Sequence, residues 1–177
     1  MVMTSDVNNI QLGACTVTFG TNDLGLTKGG VEVSIATTTY KINVDQFGES
    51  EVNEYITGRT ASVKTPLAET SLDRFQIMFP GSTIVTDGTT PTKKKLNGNA
   101  SQGVSLRSLA DILTLHPKAL VSTDKTQDFT LPVASPKGDI SFAYKHNEER
   151  VYNVEFMGYP DLTTGLLFVI GDKTATA

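Results

Sequence analysis

The stretch that decides the fold is VEVSIATTTYKINVDQFG, residues 31–48. Its apolar side chains occupy odd positions as far as Ile35 and even positions from Tyr40 onward, and three threonines, 37–39, separate the two sets. Strict alternation predicts a β-strand with one face on a core and the other in water. The change of phase at the threonines predicts either a tight hairpin turn or a β-bulge.

A second alternating stretch, EYITGRTASVKTPLAE (54–69), follows the polar loop DQFGES (45–50). Its apolar parity, which runs from Tyr55 to Leu67, is expected to lie on the same core. Two long strands therefore flank a loop that carries Phe47 at its tip. The other parity of both strands is polar, so the sheet has a solvated face.

The rest of the chain predicts a mainly β fold with one helix. Leu72, Phe75 and Met78 recur at helical spacing, so we expect a helix over 71–79, capped by Thr70 or Ser71 and ended by Pro80. Segment 81–105 is rich in Gly, Thr and Asn and is expected to be a long loop. A short helical turn and then a strand are expected up to Pro117. The prolines of residues 127–138 predict irregular or edge-like structure there.

Composition sets the class of protein. The chain has 177 residues, which suits a single domain 1–177 with a polar N-terminal arm 1–10 and a flexible C-terminal tail 173–177. Its net charge of −4 lacks the basic footprint of a protein that grips DNA. Its apolar runs are too short to span a bilayer, so no membrane insertion is expected. A single cysteine, Cys15, fits synthesis in a reducing cytoplasm.

Residues suited to catalysis are sparse. His116 and His146 are thirty positions apart in unrelated contexts, and neither has the spacing of a metal ligand pair. The sequence contains no nucleophile elbow and no phosphate-binding loop. We therefore expect no catalytic residue, no metal and no cofactor, and we predict that the protein is not an enzyme.

The order of several short segments resembles the tail tube (major tail) proteins of long, non-contractile-tailed bacteriophages. The segments are a Gly-Gly pair before the first long strand, DQFG at the loop, LAE before the helix and a closing VYNVEFMGYPD with LLFVIGD. The resemblance runs from about residue 9 to residue 172 and is least clear over 81–137. It implies a β-sandwich or partial barrel flanked by one α-helix, which is the fold of phage tail tubes.

This resemblance also implies a function. Six copies form a ring, the rings stack into a hollow tube in the virion tail, and the phage genome passes through it into the host. Each copy gives four strands to a continuous sheet around the lumen. The partners are then other copies of the chain, the tape-measure protein and the tail terminator or initiator proteins. Double-stranded DNA passes transiently, and a mildly acidic wall lets it slide because phosphate is repelled weakly.

On this interpretation the polar parity faces the lumen and the apolar parity faces the core of each copy. The expected lumen residues are Glu32, Ser34, Lys41, Asn43, Asp45, Thr60, Ser62, Lys64, Asn153 and Glu155. The tip of the loop is expected to contact the neighbouring ring through Gln46, Phe47, Gly48, Glu49 and Ser50. The segment 81–105 and the N-terminal arm are further candidates for contacts between copies.

Two other functions fit the same pattern. One is a monomeric β-sandwich that binds a carbohydrate or a protein surface, in which case the polar parity is simply a solvated face. The absence of Trp and an aromatic content of 7% disfavour a carbohydrate groove. The other is the tube protein of a contractile tail or of a type VI secretion-like system, which the alternation of residues does not distinguish from a long-tailed phage.

Overall fold

A computed structural model describes residues 6–7, 10, 12–69, 71–100 and 102–176. Most of the expected arm 1–10 and the last residue of the expected tail lie outside these ranges. Within them the chain is mainly β and its sheets are antiparallel, as predicted. The strands are β1 (Cys15–Phe19), β2 (Asn22–Asp23), β3 (Glu32–Asn43), β4 (Glu51–Leu67), β5 (Thr83–Thr86), β6 (Lys94–Asn97), β7 (Asp111–Pro117), β8 (Phe129–Ser141), β9 (Tyr152–Gly158) and β10 (Val169–Ile170).

The main sheet has the strand order β2-β1-β7-β8-β9-β4-β3, and β10 pairs with the start of β8. It curls into a partial barrel. The ring of Phe19 in β1 lies 5.4 Å, centroid to centroid, from that of Phe156 in β9. The segment after β2 returns to the end of β4, where the Ala68 amide donates to the Leu26 carbonyl at 2.8 Å and the Lys28 amide donates to the Pro66 carbonyl at 3.0 Å.

The core fills the inside of this curl. Alternate residues of five strands are buried there because each strand turns one parity inward. Among the largest fully buried side chains are Val17, Leu113, Leu131, Val63 and Phe156, one from each of β1, β7, β8, β4 and β9. The core therefore lies beside the C-terminal half of β4 and does not reach its N-terminal half.

The predicted helix is confirmed as α1 (Leu72–Met78). Ser71 is its N-cap, and the Ser71 hydroxyl accepts a hydrogen bond from the Arg74 amide at 3.2 Å. Thr70, the alternative cap, lies outside the described residues. Met78 is buried, and Phe75 packs edge-on against Tyr152 of β9 with ring centroids 4.7 Å apart. The helix thus closes one side of the core.

One expectation about irregular segments is wrong, and another is confirmed in part. Segment 81–105 is not a plain loop, because β5 and β6 pair within it as a separate antiparallel hairpin. The proline-rich segment is irregular, since its pairings with β7 and β9 both change register, but it lies between those two strands as far as Ala134 and has no described strand on its β7 side beyond that residue. Its prolines are tolerated since Pro132 and Pro136 lie where the β7 and β9 pairings change register, so no regular ladder hydrogen bond is lost there.

Candidate functional site

The long hairpin of β3 and β4 extends beyond the core. β9 pairs with β4 only from Ser62 to Leu67, so residues 51–61 of β4 have β3 as their partner and no other strand of the described chain. We call β3 together with residues 51–61 the ribbon, and residues 44–50 its tip. Apart from Ile42, every residue of β3 is exposed.

The threonine segment does not contain a turn. β3 runs through it and pairs with β4 on both sides, so the hairpin-turn alternative is wrong and the bulge alternative is confirmed. Thr38 pairs with Gly58 while Thr39 pairs with Ile56, which leaves Thr57 as the extra residue of β4. Since β3 itself is continuous, its odd and even residues keep to opposite faces over its whole length.

This register corrects the predicted faces. The first apolar set, Val33 and Ile35, lies on the same face as the buried Val63 and Ala61, but the second set lies on the opposite face. Neither set is buried in the single chain, because Ala61 is the last residue of the ribbon and the one ribbon residue in the described core. Val33 is 37% and Ile35 41% exposed, and the directly paired Tyr40 and Tyr55 are 63% and 55% exposed.

Seven of the ten expected lumen residues share one face of the sheet, which we call the outer face. It lies on the side of the sheet opposite the buried Val63, Val154 and Phe156. Its members are Glu32 and Ser34 of β3, Thr60, Ser62 and Lys64 of β4, and Asn153 and Glu155 of β9. Lys41 and Asn43 lie on the other face of the ribbon, and Asp45 lies at the tip, so the expectation that all ten share one face is wrong.

Charges of opposite sign alternate across the outer face. Lys64 pairs in register with Glu32 on one side and Glu155 on the other. The Lys137 ammonium of β8 donates a hydrogen bond to Glu155 at 2.8 Å. That bond holds the pKa of the Glu155 carboxyl below its usual value, and it raises the pKa of Lys137. The sequence pattern did not single out Lys137, because it lies in the irregular part of β8.

The tip is a compact turn that displays an aromatic ring. A single 3-10 turn, Asp45–Phe47, is stabilised by hydrogen bonds from the Phe47 amide to the Val44 carbonyl and from the Ser50 amide to the Phe47 carbonyl. Gly48 has a φ of 62°, a conformation that favours glycine. Phe47 is 67% exposed, although its backbone is fixed. All five residues expected to contact a neighbouring ring are exposed here.

The ribbon and its tip are acidic. Of the carboxylates there, Glu51 accepts a hydrogen bond from Lys41, which raises the pKa of that lysine, and Glu54 accepts from the Thr39 hydroxyl at 2.6 Å. Asp45 and Glu49, on either side of Phe47, form no ion pair with any described residue. An exposed ring thus lies between two unpaired carboxylates.

Two edges of the block formed by β3, β4, β9 and β8 have no described strand beside them. β3 is the last strand of the order, so its far edge is open. β7 pairs with β8 only as far as Ala134, and β9 lies on the opposite edge of β8. Among the described strands none pairs with the first edge of β8 beyond Ala134. The block β3-β4-β9-β8 therefore has an open edge on each side, and in β8 this edge is limited to residues 137–141 because Ser135 and Pro136 are fully buried.

The residues considered for catalysis do not form a centre. His116 Nδ1 lies 2.6 Å from Asp128 Oδ1, in a mostly buried pair at the end of β7, and His146 lies in an exposed turn. Burial raises the pKa of the Cys15 thiol, which disfavours the nucleophilic thiolate. No group of three or more His, Cys, Asp or Glu residues suited to a metal occurs among the described residues. No helix in the same ranges is long and apolar enough to cross a membrane.

Comparisons with known proteins give similar shapes only. No family model and no curated protein matches the chain. One similar solved structure is described as "Virion of native gene transfer agent (GTA) particle", with a TM-score of 0.47, 11% identity, and coverage of 88% of this chain and 95% of that chain. Another is "Cryo-EM structure of the anti-feeding prophage cap (AFP tube terminating cap)", with a TM-score of 0.45, 16% identity, and coverage of 89% and 95%.

Proposed function

We propose that the chain is a structural protein whose copies join edge to edge into six-membered rings, and that the rings stack into the hollow tail tube of a long-tailed bacteriophage. The observation that carries this proposal is the four-stranded block β3-β4-β9-β8 with an open edge on each side. An exposed strand edge is a template for pairing with another chain, and joining the edges in a ring removes them.

Strand direction supports this joining. Each of the three pairings within the block is antiparallel, so β3 and β8 run in opposite directions. When the β3 edge of one copy meets the β8 edge of the next, the new pairing is antiparallel as well. The same contact repeats between every pair of neighbours, which is the condition for a closed ring of identical chains.

Exposed apolar surface on the ribbon supports burial in an assembly. Val33 and Ile35 extend the buried face of β4 past the end of the core, and both are exposed in the single chain. An isolated two-stranded ribbon is at best marginally stable in water, and exposed apolar patches mark contact surfaces. A neighbouring copy would cover Val33 and Ile35, whereas Tyr40 and Tyr55, which pair in register, lie on the outer face.

The dimensions suit a DNA duplex. Six blocks give about twenty-four strands, which at a spacing of about 4.8 Å and a tilt of about 40° close into a barrel roughly 50 Å across. Side chains reduce the bore to roughly 40 Å, and B-DNA is about 20 Å wide. With the outer face toward this bore, the wall carries Ser34, Thr60, Ser62 and Asn153 among charges that alternate in sign. Such a wall has no basic surface on which phosphate would stall.

The proposal is tested by sedimentation and negative-stain electron microscopy of the purified chain at rising concentration. Hollow tubes or six-fold rings are expected. A chain that stays monomeric at every concentration, and that is not incorporated into tails in infected cells, would overturn the proposal in favour of a monomeric binding module.

A proline substitution on the open edge of β3 tests joining through that edge, and a serine substitution at the same position is its control. The Thr38 carbonyl accepts a hydrogen bond from the Thr57 hydroxyl and so faces β4. Neighbouring residues of a strand alternate in direction, which places the backbone polar groups of Thr37 on the open edge. Thr37→Pro is expected to fold and to remain monomeric, whereas Thr37→Ser is expected to assemble normally. Rings formed by Thr37→Pro would contradict joining through this edge.

A further inference from the structure

The hairpin of β5 and β6 carries a basic surface that the sheet-edge contact leaves unused. Val85 pairs in register with Lys95, so both side chains lie on one face of the hairpin, together with Lys93 two residues earlier. The other face carries Ile84 and Leu96, which are partly buried and lie on the side toward α1. Val85 is 42% exposed, and it lines a shallow groove together with Asp87 and Lys93, Lys94 and Lys95.

The lysines of this groove have no partner within the described chain. Neither Lys93 nor Lys95 forms an ion pair with a carboxylate there. Asp87, the nearest carboxylate in sequence, instead accepts hydrogen bonds from the Thr89 and Thr90 amides at 2.9 and 2.6 Å. The groove thus places one apolar side chain, Val85, beside lysines without an ion pair, and Lys93 and Lys95 are about 7 Å apart along the strand.

The tip of the ribbon has the complementary pattern. Phe47 is an exposed ring between Asp45 and Glu49, which are unpaired negative charges. We propose that the tip of one copy docks on the β5–β6 hairpin of a second copy, with Phe47 over Val85 and the two carboxylates near Lys93 and Lys95. An aromatic anchor surrounded by opposite charges is the usual composition of a specific protein contact.

The occupant is a second copy of this chain because the two surfaces match each other in charge and in apolar content. The contact is heterologous, since two different surfaces of the same chain meet, and such contacts repeat from copy to copy without limit. This inference rests on the proposed function, and it names the partner surface of the tip in that assembly.

The experiment reverses the charge of each surface by itself and then of both together. Asp45→Lys with Glu49→Lys reverses the tip, and Lys93→Glu with Lys95→Glu reverses the hairpin. We expect each reversal to raise the concentration of half-maximal assembly, measured by sedimentation, by at least about tenfold. In the chain that carries all four substitutions, the concentration of half-maximal assembly should return to within about threefold of the wild-type value, because the charges of the two surfaces are complementary again.

Lys118→Glu is the control. Lys118 is exposed after the end of β7, does not line the groove, and forms no ion pair with a described carboxylate. This control should leave the concentration of half-maximal assembly within about twofold of the wild-type value, although each Lys→Glu substitution changes the net charge by the same amount. Thermal unfolding of every variant verifies that the exposed substitutions leave the fold intact.

The outcomes separate this inference from the proposed function. If the wild type assembles and the reversed hairpin assembles equally well, the docking inference is wrong while the tube proposal stands. If the reversed hairpin assembles normally but loses affinity for a double-stranded DNA fragment, the lysines serve phosphate and the inference is also wrong. If the wild type does not assemble at all, the proposed function fails, and this inference fails with it.

Discussion

At the scale of single residues, substitution of Phe47 should impair the assembly of copies without changing the stability of the folded chain. The ring is 67% exposed and makes no aromatic contact with another described ring. We expect Phe47→Ala to change the free energy of unfolding by less than about 0.5 kcal/mol, because it removes no buried contact. Tubes should become fewer and shorter in electron micrographs. Tubes of normal length would contradict a role for Phe47 in stacking.

A suitable control for Phe47→Ala is Val121→Ala. Val121 is 69% exposed, and it lies in the loop before β8, away from the ribbon. Loss of its side chain should affect neither stability nor tube length. A similar shortening of tubes in this variant would show that exposed apolar residues in general, and not the tip in particular, control assembly.

Phe156, unlike Phe47, is a core residue, so its substitution should lower the stability of the single chain. It is fully buried and packs against Phe19 across the core. Phe156→Ala is expected to lower the free energy of unfolding by about 3–5 kcal/mol, because apolar transfer energy is lost and a cavity remains. Urea unfolding measures this change. A loss below about 1 kcal/mol would show that the two sides of the barrel are not packed through this ring.

Glu155 gives a test by pH. Lys137 donates a hydrogen bond that holds the pKa of the Glu155 carboxyl below its usual value of 4.5. The stability from this pair is therefore complete above about pH 4.5 and is lost as the pH falls through the lowered pKa. Glu155→Gln should melt at a lower temperature than the wild type at pH 7, and the gap should narrow at pH 3. Glu148→Gln, in an exposed turn pair with Lys145, is the control.

The difference in melting temperature between Glu155→Gln and the wild type, compared at pH 7 and pH 3, distinguishes loss of the charge from loss of packing. If Glu155→Gln melts below the wild type by the same amount at pH 7 and pH 3, the loss comes from packing and not from the charge. A constant gap would therefore contradict the assigned role of the Lys137 hydrogen bond.

At the scale of elements, local patterns identified the parts whose packing partners are close in the fold. The periodicity of Leu72, Phe75 and Met78 predicted α1, because a helix that buries one face on the core must place apolar residues at that spacing. The alternation of Tyr152, Val154 and Phe156 belongs to β9, which buries that parity in the core. In both cases the element lies against the core over its whole length.

The elements that were predicted wrongly depend on distant partners. Pro132 and Pro136 indicated irregular or edge-like structure, and the sequence does not reveal that a long strand continues through them because β7 and β9 change register there. In the ribbon, the phase change at the threonines suggested that both apolar sets share one face, whereas β4 absorbs the bulge at Thr57 and β3 continues. The alternation of residues along one strand does not reveal which strand or which copy of the chain covers each of its faces.

The N-cap of α1 is an element-scale test. The Ser71 hydroxyl accepts a hydrogen bond from the Arg74 amide at 3.2 Å, which is the standard capping contact. Ser71→Ala should lower the free energy of unfolding by about 1 kcal/mol, while Ser71→Asp, which retains an acceptor at the cap, should lose much less. Urea unfolding of both variants measures the difference. Equal losses would show that the serine acts through packing instead of capping.

At the scale of the whole molecule, the two open edges of the sheet predict where assembly protects the backbone. Outward-facing amides of β3 and of residues 137–141 in β8 have no strand partner in the described chain, so they should exchange quickly with deuterium in the monomer. Edge-to-edge joining would pair them, so both segments should gain protection in assembled rings. β1 lies on the far side of the barrel between β2 and β7, and its exchange should stay unchanged.

The two segments must change together, because the proposed joint consists of one edge from each copy. Hydrogen exchange of monomer and assembled fractions, resolved by peptide, measures both at once. Protection of β3 without protection of residues 137–141 would mean that the ribbon pairs with a different strand, such as the ribbon of another copy. The joint would then be isologous, and isologous contacts give closed dimers instead of six-membered rings. Protection confined to the tip would leave stacking as the contact between copies and would overturn the continuous sheet.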